Sequence, residues 1–345
     1  LKEQGYDVIG MTMKLWNFLE VGGNVNHESG CCSLDSFNDA RNICVNYDIP
    51  YYLVNFSRQF HKEVVQNFVS EYLNGRTPNP CVLCNTKIKW ETFLGKATEL
   101  GAYYMATGHY ARVRFNEKTG RYELLRGLDD RKDQSYALWG LKQQSLARTI
   151  FPLGQLTKPE VRKLAEKYGL VTAKKPESQE ICFVADNDYG RFLKDQVEDL
   201  EEKVSGGPLI TVDGKMVGRH KGYPFYTIGQ RRGLGVSFGE PMYVVDIIPE
   251  SNTVVIGRKK DLEVPGLKAS QINLIKYEKL NEPIRARVKI RYNDQGAMAT
   301  VTQTGDDQIE VLFDEPRRAV TPGQSVVFYH DDEVIGGGII QSKIE

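Results

Sequence analysis

The sequence has no long apolar run, no net charge and no opening methionine. No window approaches the roughly 18 consecutive apolar residues that a spanning helix needs, which excludes such a helix and leaves no membrane partner to expect. No basic segment leads into an apolar stretch and a small-residue cleavage site, so a cytoplasmic location is the expectation. Lys+Arg and Asp+Glu both number 45, so no global field attracts or repels nucleic acid, although a local basic face would suffice. Basic clusters occur at Lys87-Ile-Lys89, Lys174-Lys175, Arg219-His-Lys221, Arg231-Arg232 and along Arg285, Arg287, Lys289 and Arg291; each alone reads as an ordinary solvated face. A second C-x-x-C and an H-x3-5-H pair are also missing, so a closed zinc site would lack donors.

What is present points to two or three domains, because 345 residues exceed one ordinary core. Leu1–Tyr6 reads as the last turn of a helix closed by Gly5, and a helix that begins at its own end implies residues upstream. Asp7–Met13 reads as a strand, Ser33–Tyr47 as a helix with Phe37, Ala40, Ile43 and Cys44 on one face, and Tyr51–Val54 as a strand. Phe60–Tyr72 has helical spacing, the loop Thr77-Pro-Asn-Pro80 follows, and a helix over Ile88–Leu100 precedes a strand over Tyr103–Thr107. This rhythm predicts an α/β fold with a parallel sheet that binds ligands at the carboxyl ends of its strands. Thr157-Lys-Pro-Glu160 has the form of a capping box and starts a helix that stops at Gly169; Asp188 to about Leu200 reads as one more helix. Beyond Lys203 the long helical periods vanish. A hairpin turns at Asp213-Gly214, and Tyr243–Ile248 and Thr253–Ile256 form a strand pair. Arg285–Tyr292, Met298–Gln303, Gln308–Phe313 and Ser325–His330 suggest a small β-barrel. The expected divisions are an α/β domain over 1–203, a small central β-rich domain over 204–262 and a C-terminal β-barrel over 263–345.

Six cysteines, at 31, 32, 44, 81, 84 and 182, do not form a secreted disulfide framework in so long a chain. Cys81-Val-Leu-Cys84 follows Pro-Asn-Pro on what reads as a loop between helices. The pair suits half a zinc site, a thiolate centre or part of an iron–sulfur site. Two inert buried thiols would be simpler, but the flanking prolines and Asn85 mark a surface loop. Cys182, in Glu177-Ser-Gln-Glu-Ile-Cys182-Phe183, would need a nearby cation such as Lys174, Lys175 or Arg191 to act as a thiolate; a structural thiol is the plainer reading. Ala106-Thr-Gly-His-Tyr110 closes a strand, so Gly108 would admit a ligand to the backbone and His109 could meet a base or phosphate. Lys132-Asp-Gln-Ser-Tyr136 by itself reads as a helix entry. Tyr223–Gly235 mixes aromatics, basic residues and glycines, which suits either stacking on unpaired bases or a glycine-rich turn that packs its own aromatics.

Together these stretches resemble the tRNA-specific 2-thiouridylase family. Gly75-Arg-Thr-Pro-Asn-Pro80 with Cys84-Asn85, Ala106-Thr-Gly-His-Tyr-Ala111, Lys132-Asp-Gln-Ser-Tyr136, Ile181-Cys-Phe183, Thr227-Ile-Gly-Gln-Arg231, Thr321-Pro-Gly-Gln324 and Gly336-Gly-Gly338 match in family order across the chain. The resemblance implies a PP-loop domain, a central domain and a C-terminal barrel. It implies adenylation of the C2 oxygen of a tRNA wobble uridine by ATP with Mg2+, then attack by a persulfide sulfur and release of AMP. Cys84 resembles the nucleophile and Cys182 the persulfide carrier, a pair that the resemblance also allows to form a disulfide. Met13 and Gly108 resemble ATP contacts. Asn79, Pro80 and Cys81 surround the target base, and His109, Lys132, Asp133, Gln134, Arg291, Tyr292 and Gln324 resemble tRNA contacts. The implied partners are tRNAs for Lys, Glu and Gln and a cysteine desulfurase or sulfur-relay protein.

The chain departs from the family pattern in two places. A phosphate loop of the form Ser-Gly-Gly-x-Asp-Ser is absent, and Ser205-Gly-Gly207, followed by Pro208, is a false match. Backbone N–H groups of such a loop cradle phosphates, so these residues alone are expected to bind ATP poorly and to be a truncated form of an active enzyme. The second departure is Cys81, where many members carry Asp. Cys81, Cys84 and Cys182 could then hold a [4Fe–4S] cluster, an alternative to the persulfide route. A tRNA-binding protein without catalysis, another PP-loop ligase and a structural metal protein are the rival readings.

Overall fold

The computed structural model describes residues 1–16, 34–174, 181–184, 186–236 and 239–345. Cys31, Cys32, the cap candidate Ser33, Lys175 and Glu177–Glu180 lie outside the described residues. In chain order the first elements are β1 (Gly10–Lys14), α1 (Leu34–Asn46), β2 (Tyr51–Asn55) and α2 (Ser57–Phe60), which continues through a π-helical turn (His61–Val65) into α3 (Gln66–Leu73). Then come α4 (Pro80–Leu83), a π-helix (Cys84–Phe93), α5 (Leu94–Glu99), β3 (Met105–Ala106), β4 (Ala111–Asn116) and β5 (Arg121–Arg126). α6 (Gln143–Leu146), β6 (Thr149–Ile150), α7 (Lys158–Lys167), α8 (Tyr189–Gln196) and α9 (Leu200–Val204) complete this half. The chain forms two compact units, Leu1–Val65 with Pro80–Asp188, and Gln66–Asn79 with Tyr189–Glu345.

In the first unit β1 runs parallel to β2, pairing Gly10 with Tyr51 and Lys14 with Asn55, and β3 runs parallel to β6. A Cβ at Gly10 would lie 2.3 Å from the Sγ of Cys44, so α1 can approach β1 only because that position is glycine. Cys44 is buried, and burial pushes its thiol pKa up, which marks it as packing rather than chemistry. Gly5 closes the opening 3-10 turn (Lys2–Gln4) in the left-handed conformation, as its position predicts. At α7 the Glu160 carboxylate accepts the Thr157 N–H and hydroxyl, both at 2.7 Å. The antiparallel hairpin of β4 and β5 was not foreseen: charged Arg112, Arg114, Arg121 and Glu123 hide its alternation, and its turn relies on Gly120 at φ 66°. The core of this unit gathers Phe60, Ile88, Leu124, Tyr136, Leu138, Leu146 and Phe183, each at most 1% exposed.

The second unit holds two β modules. β7 (Pro208–Thr211), β8 (Met216–Arg219), β9 (Tyr243–Ile248) and β10 (Thr253–Gly257) form a sheet in the order β8-β7-β10-β9 around Leu209, Val244, Val254 and Ile256. The β7–β8 turn uses Gly214 at φ 84°, where the Asp-Gly pair predicted it. Ser205-Gly-Gly207 caps α9, and a Cβ at Gly207 would lie 2.0 Å from the Asn252 carbonyl oxygen; packing explains that glycine. The barrel consists of β11 (Glu263–Leu274), β12 (Ile284–Lys289), β13 (Ala297–Gly305), β14 (Gln308–Arg318), β15 (Ser325–His330) and β16 (Glu333–Ile344). All its pairings are antiparallel, and β11 bonds to both β14 and β16, which closes the ring.

β16 was not among the strands predicted from spacing. The glycines are what let it pair. A Cβ at Gly336 would lie 2.4 Å from the Asn273 carbonyl oxygen, and one at Gly338 would lie 3.0 Å from that of Ser270, where the β11 register is irregular. Gly336→Ala should therefore cost about 1–3 kcal/mol through overpacking. Gly95→Ala, at an exposed position in α5 with nothing within 4 Å, should stabilise by about 0.5–1 kcal/mol. Urea unfolding of both variants checks the opposite signs.

Candidate active site

Parallel strands deliver their loops to one edge, and β1 together with β3 and the loop that follows β3 lines a cleft of about 340 Å3. Met11 and Met13 come from β1, Met105 and Ala106 from β3, and Thr107, Gly108 and His109 from the loop that follows. Lys89 and Phe93 of the π-helix and Gln134 complete the wall. The structure thus brings together four residues singled out from sequence: Met13, Gly108, His109 and Gln134. A Cβ at Gly108 would meet only Leu153, at an ordinary 3.6 Å, so internal packing does not require glycine there. Its missing side chain bares backbone to the cleft. Gln134 is held in place, its side-chain carbonyl accepting the Tyr110 N–H at 3.0 Å.

His109 sits half-buried on the cleft wall, its ring 5.6 Å from that of Trp90 and 6.1 Å from that of Phe151. Its Nδ1 lies 2.8 Å from the Thr107 hydroxyl and its Nε2 lies 3.4 Å from the Lys89 ammonium. Enclosure, then the Lys89 charge, pushes its pKa down to about 3, so the ring is neutral at ordinary pH. Sequence reasoning missed Lys89 and Thr107 as parts of this arrangement. Its only available signal was the Lys87-Ile-Lys89 cluster, which reads as solvated surface.

The C-x-x-C pair lies on a helix, not on the loop that was expected. Pro80 opens α4, because a fixed φ and a missing N–H suit a first helical turn, and Cys84 begins the π-helix. Hydrogen bonds in that winding reach five residues back. This brings Cys84 round toward the side that carries Lys89 and Phe93, whereas α-helical winding would set Cys84 and Phe93 on opposite sides. Cys84 is half-buried and Cys81 exposed. Asn85 is buried and donates to the Ala137 carbonyl at 2.8 Å. Cys182 is half-buried in the same unit; its neighbour Phe183 packs edge-on against Phe60 of α2 at 5.5 Å. Among the described residues no three His, Cys, Asp or Glu side chains converge to hold a metal, so Cys81, Cys84 and Cys182 do not fit a three-thiolate cluster.

In the Lys132–Tyr136 stretch the predicted helix entry is a 3-10 turn (Ser135–Leu138) organised by Asp133. That carboxylate is buried and accepts the N–H of Gly127 at 3.0 Å, the N–H of Ser135 at 3.1 Å and the Ser135 hydroxyl at 3.0 Å, with Arg126 at 3.3 Å. Asp133 therefore shapes the loop that presents Lys132 and Gln134.

The second unit carries Asn79, Arg291, Tyr292 and Gln324. The Gln324 amide donates to the Thr77 and Pro78 carbonyls at 3.0 and 3.1 Å, and the Thr77 N–H donates to Pro322 at 2.9 Å. Gly323, at φ 90°, has no room for a side chain, since a Cβ would lie 2.8 Å from the Thr77 oxygen. Two separate sequence motifs, Thr321–Gln324 and Arg76–Pro80, thus meet at one clamp that leads into Asn79. Arg291 and Tyr292 are exposed on the loop between β12 and β13. Asp294 holds that loop by accepting the Ile290 and Gly296 N–H groups at 3.1 Å and pairing with Arg317. In Tyr223–Gly235, Tyr226 is buried and Tyr223 and Phe225 pack on the central core, so the aromatics there are structural, whereas Arg231 and Arg232 are exposed.

A family model described as the tRNA methyl transferase HUP domain matches residues 1–186. A tRNA methyl transferase PRC-barrel domain matches 191–258, and an aminomethyltransferase β-barrel domain matches 264–340. The chain is similar to the tRNA-specific 2-thiouridylase MnmA of Salinibacter ruber, with 54% identity over 341 residues, covering 99% of this chain and 89% of that protein. The protein of the same name from Carboxydothermus hydrogenoformans is 50% identical over 345 residues, covering 100% of this chain and 93% of the relative. That of Clostridioides difficile is 46% identical over 344 residues, covering 100% and 94%.

Two predictions follow from the second unit. Burial pushes the Asp294 pKa up, but two backbone N–H groups and Arg317 outweigh it and hold the carboxyl below its ordinary 3.8. A depressed carboxyl stabilises the fold above its unfolded pKa and loses that contribution as pH falls through the folded value. The urea midpoints of wild type and Asp294→Asn should differ most near neutrality and draw together as the pH falls through the depressed folded value, below the ordinary 3.8. Gln324→Ala should speed amide exchange at Thr77, measured by hydrogen–deuterium exchange.

Proposed function

This chain belongs to the tRNA-specific 2-thiouridylase family, and on that premise we propose that it is a tRNA-uridine 2-sulfurtransferase that replaces the C2 oxygen of the wobble uridine with sulfur. The observation that carries this reading is the shared wall: the π-helix that begins at Cys84 also supplies Lys89 and Phe93 to the cleft at the carboxyl ends of β1 and β3. The descriptions of two of the matching family models mention methyl transfer, whereas the relatives that match the whole chain are named as 2-thiouridylases.

The cleft suits the nucleoside of ATP. Met11, Met13, Phe93 and Met105 give an apolar surface for a purine, and Gly108 leaves backbone polar groups within reach of its edge. ATP supplies a leaving group there, because adenylation turns the inert C2 oxygen into one that departs as AMP. Mg2+ would travel with the phosphates, which are its usual ligands. The chain's own residues do the rest. Asn79, Pro80 and Cys81 surround the base. His109, Lys132, Asp133, Gln134, Arg291, Tyr292 and Gln324 form the tRNA-contact set, with Asp133 and Gln324 acting by shaping loops rather than by direct reach. Cys182 carries the persulfide whose outer sulfur attacks C2 as AMP leaves. Cys84 then attacks the Cys182 sulfur of the resulting S–S bond, which frees the 2-thiouridine and leaves a Cys84–Cys182 disulfide that an external dithiol reductant must reopen before the next turnover. A cysteine desulfurase or relay protein recharges Cys182, and the substrates are tRNAs for Lys, Glu and Gln in the cytoplasm.

The test is ATP-dependent formation of 2-thiouridine in tRNA by anaerobically purified protein with a phosphate loop restored upstream of Leu1, read by nucleoside mass spectrometry alongside iron and sulfide content. Cys84→Ser and Cys182→Ser should each lower thiolation by at least a hundredfold, and Cys81→Ser should retain it. Thiolation that requires iron and is lost with any one of the three cysteines would overturn the persulfide route. Survival of activity in Cys84→Ser would overturn the assignment of the nucleophile.

A further inference from the structure

Lys89 carries the only charge among the described residues that line the cleft. It is half-buried, and among the described residues no carboxylate lies within ion-pair distance of it. An ammonium group has three donors and no acceptor, so the Nε2 of His109 must accept from it. That choice fixes the tautomer: Nδ1 bears the proton and donates to the Thr107 hydroxyl, 2.8 Å away. The ring between Trp90 and Phe151 stays neutral, so the acceptor persists and no second positive charge repels Lys89. One of the three donors is thereby anchored, and the others remain for a ligand. A partly enclosed cation without a counter-charge is costly, and an anionic ligand would remove that cost.

We propose that Lys89 is the phosphate-binding cation of this cleft, aimed by a Thr107–His109 relay so that its ammonium meets the anionic part of a nucleotide whose base lies against the methionines. The proposal rests on the reading of the cleft as a nucleotide site. His109 is then a positioning residue whose lone pair orients the ammonium, and Lys89 is the group that touches the ligand. A hydrogen bond to a charged group of this kind corresponds to about a 10–100-fold change in affinity.

The experiment measures binding of ATP and of adenosine by calorimetry to the protein with a phosphate loop restored upstream of Leu1, wild type and variants, because the residues from Leu1 onward are expected to bind ATP poorly by themselves. Adenosine shares the base and ribose but carries no charge. Lys89→Met should weaken ATP by about 10–100-fold and leave adenosine within about twofold, and Lys89→Arg should recover most of the ATP affinity. Equal weakening of both ligands would overturn the proposal, since that marks a damaged pocket, and so would unchanged ATP affinity. A wild-type chain that binds neither ligand overturns the nucleotide reading itself, an outcome distinct from the other two.

Discussion

Two hydrogen bonds from one side-chain amide hold the loop that leads into α4. Pro78 and Pro80 have no N–H of their own, so the segment before Cys81 has few backbone donors, of which Thr77 gives its own to Pro322. The Thr77 and Pro78 carbonyls must find donors elsewhere, and Gln324 supplies both. Gly323 allows the approach because it has no side chain to collide with Thr77. The barrel behind this clamp gives it a rigid base, with Val288, Ile309, Val311, Val326 and Phe328 fully buried at its centre. A closed ring of strands is a stiff mount for a loop that cannot stiffen itself.

Most of the fold was legible from residue spacing. The alternation of strand and helix in the first half marked a parallel α/β sheet, Thr157 with Glu160 marked a helix start, and Asp213-Gly214 marked a hairpin; each occurs where expected. What stayed hidden shares a physical cause. β16 went unpredicted because its glycines answer to a neighbouring strand, which no local pattern records. The β4–β5 hairpin concealed its alternation behind arginines whose charged ends lie on its surface. The helix at Pro80 was placed too late because a proline-rich loop and a proline at the first helical turn look alike in one dimension.

The candidate site was legible in part for a similar reason. Motifs that end strands point to a cleft, and Met13, Gly108, His109 and Gln134 do share one. Lys89 could not be found that way, because its importance depends on an unusual helical winding and on a histidine tautomer. Asp133 and Gln324 illustrate the converse: both belong to quoted motifs, yet each is engaged with backbone groups and acts on what its loop presents. A motif residue can thus serve recognition at one remove, by fixing the shape of a loop whose neighbours make the contact.

The sulfur of Cys44, lodged against Gly10, has a consequence for kinetics. Cys44 is buried with its sulfur against Gly10, so a reagent reaches that thiol more readily when α1 moves away from β1. The alkylation rate of Cys44 is therefore a clock for the breathing of the first strand–helix pair. Cys81, facing solvent, needs no such opening and supplies the reference rate within the same molecule. The chain carries a built-in pair of chemical probes, one timing local unfolding and the other timing simple encounter.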